Sequence, residues 1–429
     1  MVSPPDVVTP NPPPIAHLKR ALPFAISLAM VPLALIGAAY GGWTVLLLPL
    51  FGWGLFALLD LVFKKDTTNE DPATDEKDLF WFRLLTMIWV PIQFLLVFGL
   101  IGYVSHAAHL GLIEKIGLFL GIGVMTGLVG MVYAHELVHR NSRLERWLGD
   151  ILLAMGLYSH FRTERLKVHD LHVGTPQDPA TARPDEDFYR YFQRILAEGH
   201  RHAWEVEAEQ LKRVGRPLHS LRNPFWVYGA LQIVMVGLAL ALGGAQGLLL
   251  FLVQAFVAVC QLELLNYVGH YGLTRRALPD GTIEPVMPHH SWNSDCKASN
   301  RLLINLQRHS DHHAHPDRRY PLLQALPEQQ APHLPHGFLH MAALALFPKV
   351  WRRQMNPRLL DWRRTYYPGV TDWAPLDSGQ PAAAAAPAEP VAPGGAVASA
   401  PPAEAPRAAA APAAEAAAAP ETQKSEPAI

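Results

Sequence analysis

Six apolar runs, each long enough to cross a bilayer, restrict this 429-residue chain to a helical membrane architecture. They lie at Ala21–Tyr40, Thr44–Phe63, Trp81–Val104, Ile116–Ala134, Pro224–Leu242 and Leu248–Tyr267. About 20 residues rising ~1.5 Å each cover the hydrocarbon core, and a helix satisfies its backbone hydrogen bonds within the one segment. A shorter run, Trp147–Tyr158, is half a span and reads as a re-entrant or buried helix. The expected fold class is all-α: a polytopic membrane protein with six transmembrane helices. The 17% of charged residues and the formal net charge of −1 also exclude a typical nucleic-acid binder, which carries a basic excess.

Basic residues set the expected orientation. The connections at Gly41-Gly42, Ser105–Glu114 and Gly243–Gly247 hold no Lys or Arg, and Lys115 stands at the edge of a span. Lys19, Arg20, Lys64, Lys65, Lys77 and the Arg-rich stretches 140–223 and 308–364 fall on the other side. That side, with both termini, is expected to face the cytoplasm from a bacterial-type inner membrane. The first run follows Lys19-Arg20 and leads through two glycines into the second, the pattern of an uncleaved signal-anchor. Residues 1–20 and the Ala/Pro-rich 377–429 bury too little apolar surface to order themselves. The membrane domain is expected over 21–376, with cytoplasmic segments 135–223 and 268–376. Within the latter, Gly337–Trp351 reads as an interfacial helix.

Histidine spacing supplies the chemistry. His309, His312 and His313 stand at i, i+3 and i+4, one face of a helix, in Leu306-Gln-Arg-His-Ser-Asp-His-His313. His135 and His139 repeat the i, i+4 spacing at the cytoplasmic end of the fourth span. His169 follows the half-span, and His270 emerges with the sixth span on the same side. Imidazoles crowded together repel when charged, and become stabilising when they stay neutral and share a metal ion. Seven of them exceed a single site, so two ions fit the count. His135-Glu-Leu-Val-His139 alone would also suit a zinc protease with Glu136 as general base, but that leaves the C-terminal trio unexplained. His160, His289, His290 and His315 are expected to support the site or lie at the surface. His106 and His109 fall on the opposite membrane face. Arg308, Arg318 and Arg319 are expected to pair with carboxylates or phosphate headgroups. Cys260 and Cys296 form no Cys-x-x-Cys, so the chain is expected to carry no iron–sulfur, rubredoxin or disulfide redox centre of its own. Phe51, Trp53 and Phe56 on the second span are candidates for setting the depth of an apolar channel.

Several blocks carry a family resemblance. His135-Glu-Leu-Val-His-Arg140, Gly174-Thr-Pro-Gln-Asp-Pro179, Asn266-Tyr-Val-Gly-His-Tyr-Gly272, His290-Ser-Trp-Asn293 and the block ending at His313 are similar to signature blocks of the membrane alkane 1-monooxygenases. Those belong to the fatty-acid-desaturase-like di-iron proteins, and the likeness runs from about Leu22 to Trp373. The resemblance implies a cytoplasmic histidine-rich helical cap holding two non-haem iron ions. It implies hydroxylation of the terminal carbon of alkanes or related hydrocarbons with O2. Electrons would come from rubredoxin and its NAD(P)H-dependent rubredoxin reductase. A fatty acid desaturase, another lipid hydroxylase or an impaired member of the family shares the same blocks.

The resemblance breaks at three residues. The family's second box reads Glu-His-x-x-x-His-His, whereas this chain has Glu164-Arg-Leu-Lys-Val-His-Asp170. Arg165 cannot ligate and repels a cation if it points inward. Asp170 stays a candidate ligand, because a carboxylate suits a hard cation. His172, two residues on, points about 200° away around a continuous helix. Gly269 stands where the family has Glu beside the histidine of the Asn-Tyr block. The expectation is one weakly held iron or a remodelled site.

Overall fold

A computed structural model describes residues 14–373 apart from Lys64 and Pro279. Of the segments expected to be disordered, 1–13 and 377–429 lie outside the described residues, whereas 14–20 are helical, the start of a helix over Pro14–Ala21. Within them the regular structure is helical, with only isolated β-bridges such as Asn293–His333, so the all-α class holds.

Among the described residues, five helices are long and apolar enough to cross a membrane: α1 (His17–Tyr40), α2 (Gly42–Val62), α3 (Glu76–His106), α4 (Leu112–Val138) and, after the helices α5 (Arg143–Met155), α6 (Phe161–Glu164) and α7 (Phe188–Arg213), α8 (Phe225–His270). The fifth and sixth expected spans thus share α8, whose backbone breaks at Gly244. Gly244 (φ 60°, ψ −151°) has nearly the same conformation as Gly41 (φ 62°, ψ −150°), the corner between α1 and α2. Only glycine reaches this region without strain, about 1–3 kcal/mol for other residues. A Cβ at Gly244 meets open space, whereas one at Gly41 would lie 2.6 Å from Leu110 Cδ2 and 2.9 Å from Glu114 Oε1. Glu114 is not free to move, because its carboxylate accepts from the Gly42 and Gly111 amides at 2.6 and 2.7 Å. Gly41→Ala is therefore expected to lower the thermal midpoint in detergent more than Gly244→Ala does. Equal midpoints would show that the corner carries no packing constraint.

Helix α4 is central. Its most apolar stretch is 83% buried against 22% for α2, which lies at the edge of the bundle. A Cβ at Gly127 of α4 would stand 2.9 Å from the Ala258 carbonyl oxygen of α8, so the two backbones touch. That contact brings the ends of α4 and α8, with His135 and His270, side by side. Helix α5 buries Leu152–Met155 and accepts Gln254 of α8 on the Met155 carbonyl at 2.7 Å, so the half-span is a buried helix.

Three further helices lie at this end: α9 (His309–Ala314), α10 (Phe338–Ala345) and α11 (Pro348–Tyr366). The expected interfacial helix Gly337–Trp351 is instead two pieces. Pro348 starts a new helix, where its missing N–H costs nothing. Trp351 is fully buried against Tyr267 and Tyr271, whereas Phe347 and Val350 stay exposed, so the segment has one face on the core and one apolar edge outside it.

Candidate metal centre

The histidines are delivered in two groups, both buried. His169, His270, His309 and His313 turn their Nε2 atoms toward one another, with 2.8 Å between His270 and His309, 3.3 Å between His309 and His313, and 3.4 Å between His169 and His313. A neutral imidazole has one N–H and one lone pair. Four facing nitrogens cannot all be satisfied by each other, and a cation at their centre satisfies all four at once. This donor set fits a first-row transition metal such as iron.

Its geometry is built from three elements. His270 ends α8, His309 and His313 lie one turn apart on α9, and His169 closes a π turn, Arg165–His169, that follows α6. The start of α9 is fixed by Asn293, whose Oδ1 accepts the Ser310 amide at 2.9 Å. This is the role the structure gives the His290–Asn293 block. His169 is oriented from behind: its Nδ1 lies 2.9 Å from Asp178 Oδ2, and Asp178 is held by Thr181 Oγ1 at 2.6 Å and the Ala180 amide at 3.0 Å. Burial pushes the Asp178 carboxyl up, but His169 and these hydrogen bonds outweigh it and leave it below the usual range. An ionised carboxylate on Nδ1 fixes the tautomer that presents the Nε2 lone pair inward. Sequence reasoning quoted Asp178 only within a family block; a carboxylate nine residues after a candidate ligand was the available signal. Asp178→Asn is expected to weaken metal binding about 10–100-fold, read by competition with a chelator of known affinity.

His135, His139 and His312 form the second group, each with a nitrogen within 4.8 Å of the others. Here Arg165 intrudes. Its side chain is 1% exposed, and its Nε donates to His135 Nε2 at 2.8 Å. The π turn explains why. The Asp170 amide donates to the Arg165 carbonyl, an i→i+5 bond that places residues five apart on one face. Asp170 Oδ1 accordingly lies 3.8 Å from Arg165 Nε, and its Oδ2 3.7 Å from His139 Nδ1. Burial raises the Asp170 carboxyl to about 7, against the pull of Arg165. Burial also holds His139, His309, His312 and His313 well below the usual histidine range, and the Arg165 guanidinium adds to that in each case.

This second group does not fit a metal ion while Arg165 occupies it. The lone pair of His135 is already engaged. A divalent ion about 4 Å from a guanidinium meets roughly 8 kcal/mol of repulsion at an effective dielectric near 20. Asp170, a sequence candidate for ligation, faces Arg165 and His139 rather than the four-histidine cluster.

The other residues singled out by the sequence have separate surroundings. Gly269 forms the floor under His309: a Cβ there would lie 3.2 Å from the ring, so the small residue permits the approach of His309. His172 is only partly buried and lies outside both histidine groups. His315 is exposed and lies 3.3 Å from Asp311. His290 is neither surface nor ligand to these groups; it is buried, with Nε2 3.0 Å from Glu284 and 2.7 Å from Tyr367. His160 packs edge-on against His200. Arg318 pairs with Asp311, and Arg319 with Glu76 and Glu145, as carboxylate partners were expected. Arg308 instead donates to the carbonyls of Leu323 and Thr68, tying the Asp66–Pro72 loop to α9. Trp53 donates to Gln261 at 2.6 Å, while Phe51 and Phe56 line a cavity of about 300 Å³ that ends at Lys297 and Arg301.

The sequence model of the fatty acid desaturase family matches residues 113–345, the stretch that contains every histidine of both groups. The chain is 38% identical over 321 residues to alkane 1-monooxygenase 1 of Pseudomonas aeruginosa, covering 74% of this chain and 82% of that one. The chain belongs to this family. It is also 36% identical to alkane 1-monooxygenase 2 of Alcanivorax borkumensis, over 75% of this chain and 83% of that one. A more distant relative, 28% identical over 77% of this chain and 87% of its own length, is the hydroxylase component of the xylene/toluene monooxygenase of Pseudomonas putida. Membership of the fatty acid desaturase family accords with the buried histidine clusters, which are compatible with non-haem iron.

Proposed function

We propose that this protein is a membrane monooxygenase that hydroxylates the terminal carbon of an alkane or related hydrocarbon. The reaction is R–H + O2 + 2 e⁻ + 2 H⁺ → R–OH + H2O. The observation that carries this reading is the four-histidine cluster, buried where α4 and α8 end, in a chain whose relatives are named alkane 1-monooxygenases. Iron held there would activate O2 for attack on an unactivated C–H bond.

The chain's own residues do the rest. His169, His270, His309 and His313 present neutral donors, and Asp178 keeps the His169 tautomer correct. The apolar helices admit hydrocarbon and exclude water from the reacting centre. Residues Phe51 and Phe56 offer one apolar surface for a substrate chain, beside α1. The two electrons are supplied by a separate small iron–sulfur carrier, rubredoxin, recharged by its reductase. In the proposed topology the two arms of α8 cross separately, making six crossings of a bacterial inner membrane, with the histidines and both termini in the cytoplasm. A second iron, as the family resemblance implies, would need the His135–His139–His312 group, and Arg165 stands against it.

The test is conversion of octane to 1-octanol by membranes from a host that supplies rubredoxin and its reductase. Alcohol that disappears when rubredoxin is withheld supports the reading. An alkene from a fatty acyl substrate, with no alcohol, would assign the protein to the desaturase side of the family.

A further inference from the structure

Arg165 is the feature that the proposed function does not absorb. It is a permanent cation with 1% exposure, placed among three imidazoles at the buried end of the helix bundle. Its surroundings are those of a cation site. His135 Nε2 accepts from its Nε, and Asp170 is its carboxylate neighbour at 3.8 Å. His139 Nε2 and His312 Nε2 face the same space with no hydrogen-bond partner among the described residues. Arg165 and Asp170 also come as a unit. The π turn that aims one inward aims the other, and the i→i+5 bond joins their backbones directly. A charge this deep calls for a nearby carboxylate, and Asp170, 3.8 Å from Arg165 Nε, is the one this turn supplies.

The neighbouring cluster is independent of this pair. Its four Nε2 atoms converge without Asp170 or the three other histidines, and its orienting carboxylate, Asp178, comes from a different segment. One group is therefore complete as a metal site, and the other already contains a cation.

We infer that this chain binds a single metal ion, in the His169–His270–His309–His313 cluster, while the Arg165 guanidinium paired with Asp170 takes the place of a second ion among His135, His139 and His312. The inference rests on the reading that these clusters bind metal, and not on the substrate assigned to them. It makes Arg165 a positioning residue: it holds the His135 ring by hydrogen bond and fixes one positive charge beside the metal.

Metal content of the purified full-length protein tests this without any turnover. The protein is produced in iron-replete medium, purified in detergent as a monodisperse peak, and analysed by elemental mass spectrometry and electron paramagnetic resonance. The wild type is expected to hold about one iron per chain, with the signal of an uncoupled high-spin ferric ion after oxidation. His313→Ala is expected to lose that iron, and His135→Ala to keep it. The double variant Arg165→His, Asp170→His is expected to double the iron content and to couple the two ions magnetically. Should that variant fail to fold, Arg165→Ala serves instead, since it removes the guanidinium alone. Its expected result is uptake of a second equivalent of Co²⁺ that the wild type does not take. Two irons in the wild type, none at all, or loss of the single iron in His135→Ala would each overturn the inference. One iron without hydrocarbon hydroxylation would instead sink the proposed function and leave this inference standing.

Discussion

Replacing His313 by alanine is expected to abolish oxygenase activity and strip the metal, a loss exceeding the roughly 10–100-fold expected from Asp178→Asn behind the cluster. His313 Nε2 faces two of the other donors, at 3.3 Å from His309 and 3.4 Å from His169. Its removal leaves three imidazoles around a void that water would have to fill. Because α9 starts at His309 and is pinned through Ser310 to Asn293, the helix itself should survive. The measurement is product formation alongside iron content and the thermal midpoint of the detergent-solubilised variant. A His313→Ala protein that still hydroxylates at more than a tenth of the wild-type rate would place the reacting metal elsewhere.

Arg319→Met is expected to destabilise the protein by about 3 kcal/mol, the lower end of the cost of breaking a buried ion pair. Arg319 holds Glu145 with two parallel bonds, 3.0 and 3.2 Å long, and reaches Glu76 at 2.6 Å. Glu145 is 1% exposed on its side chain, so the substitution leaves a carboxylate with little solvent to replace its partner. Arg83, 3.4 Å away, provides partial compensation, which is why the lower end applies. The pair joins α5 to the loop after α9, the helix that carries His309, His312 and His313. Denaturation monitored by tryptophan fluorescence in mixed micelles reads the effect. An unchanged midpoint would mean that Arg83 alone satisfies Glu145.

Much of this architecture could be read from residue order, and the reasons are physical. Apolar runs of membrane-spanning length and histidines at i, i+3 and i+4 are periodic signals that survive without knowing the fold. His135, His139, His169, His270, His309, His312 and His313 are accordingly all buried within the two groups. Features that depend on a local break in period were not legible. The rotation of Arg165 and Asp170 onto one face requires a π turn, and an α-helical reading sets them on different faces. The break before Pro348 is equally local, and it divided the expected interfacial helix in two. The nine-residue spacing from His169 to Asp178 was a weak signal, and it took their 2.9 Å contact to give Asp178 its role. Gly269 read as a missing carboxylate, and in space it is the clearance that His309 needs.

The four-histidine cluster draws its donors from residues as far apart as 144 positions. During synthesis the chain emerges amino end first, so His169 and His270 are made and inserted well before His309 and His313 exist. A metal bound by all four donors would therefore be acquired late in biogenesis, after the last membrane helix has been placed and α9 has folded back across the bundle. A chain arrested before His309 would be inserted and metal-free, and the interval before closure is when its exposed imidazoles are open to the wrong ion.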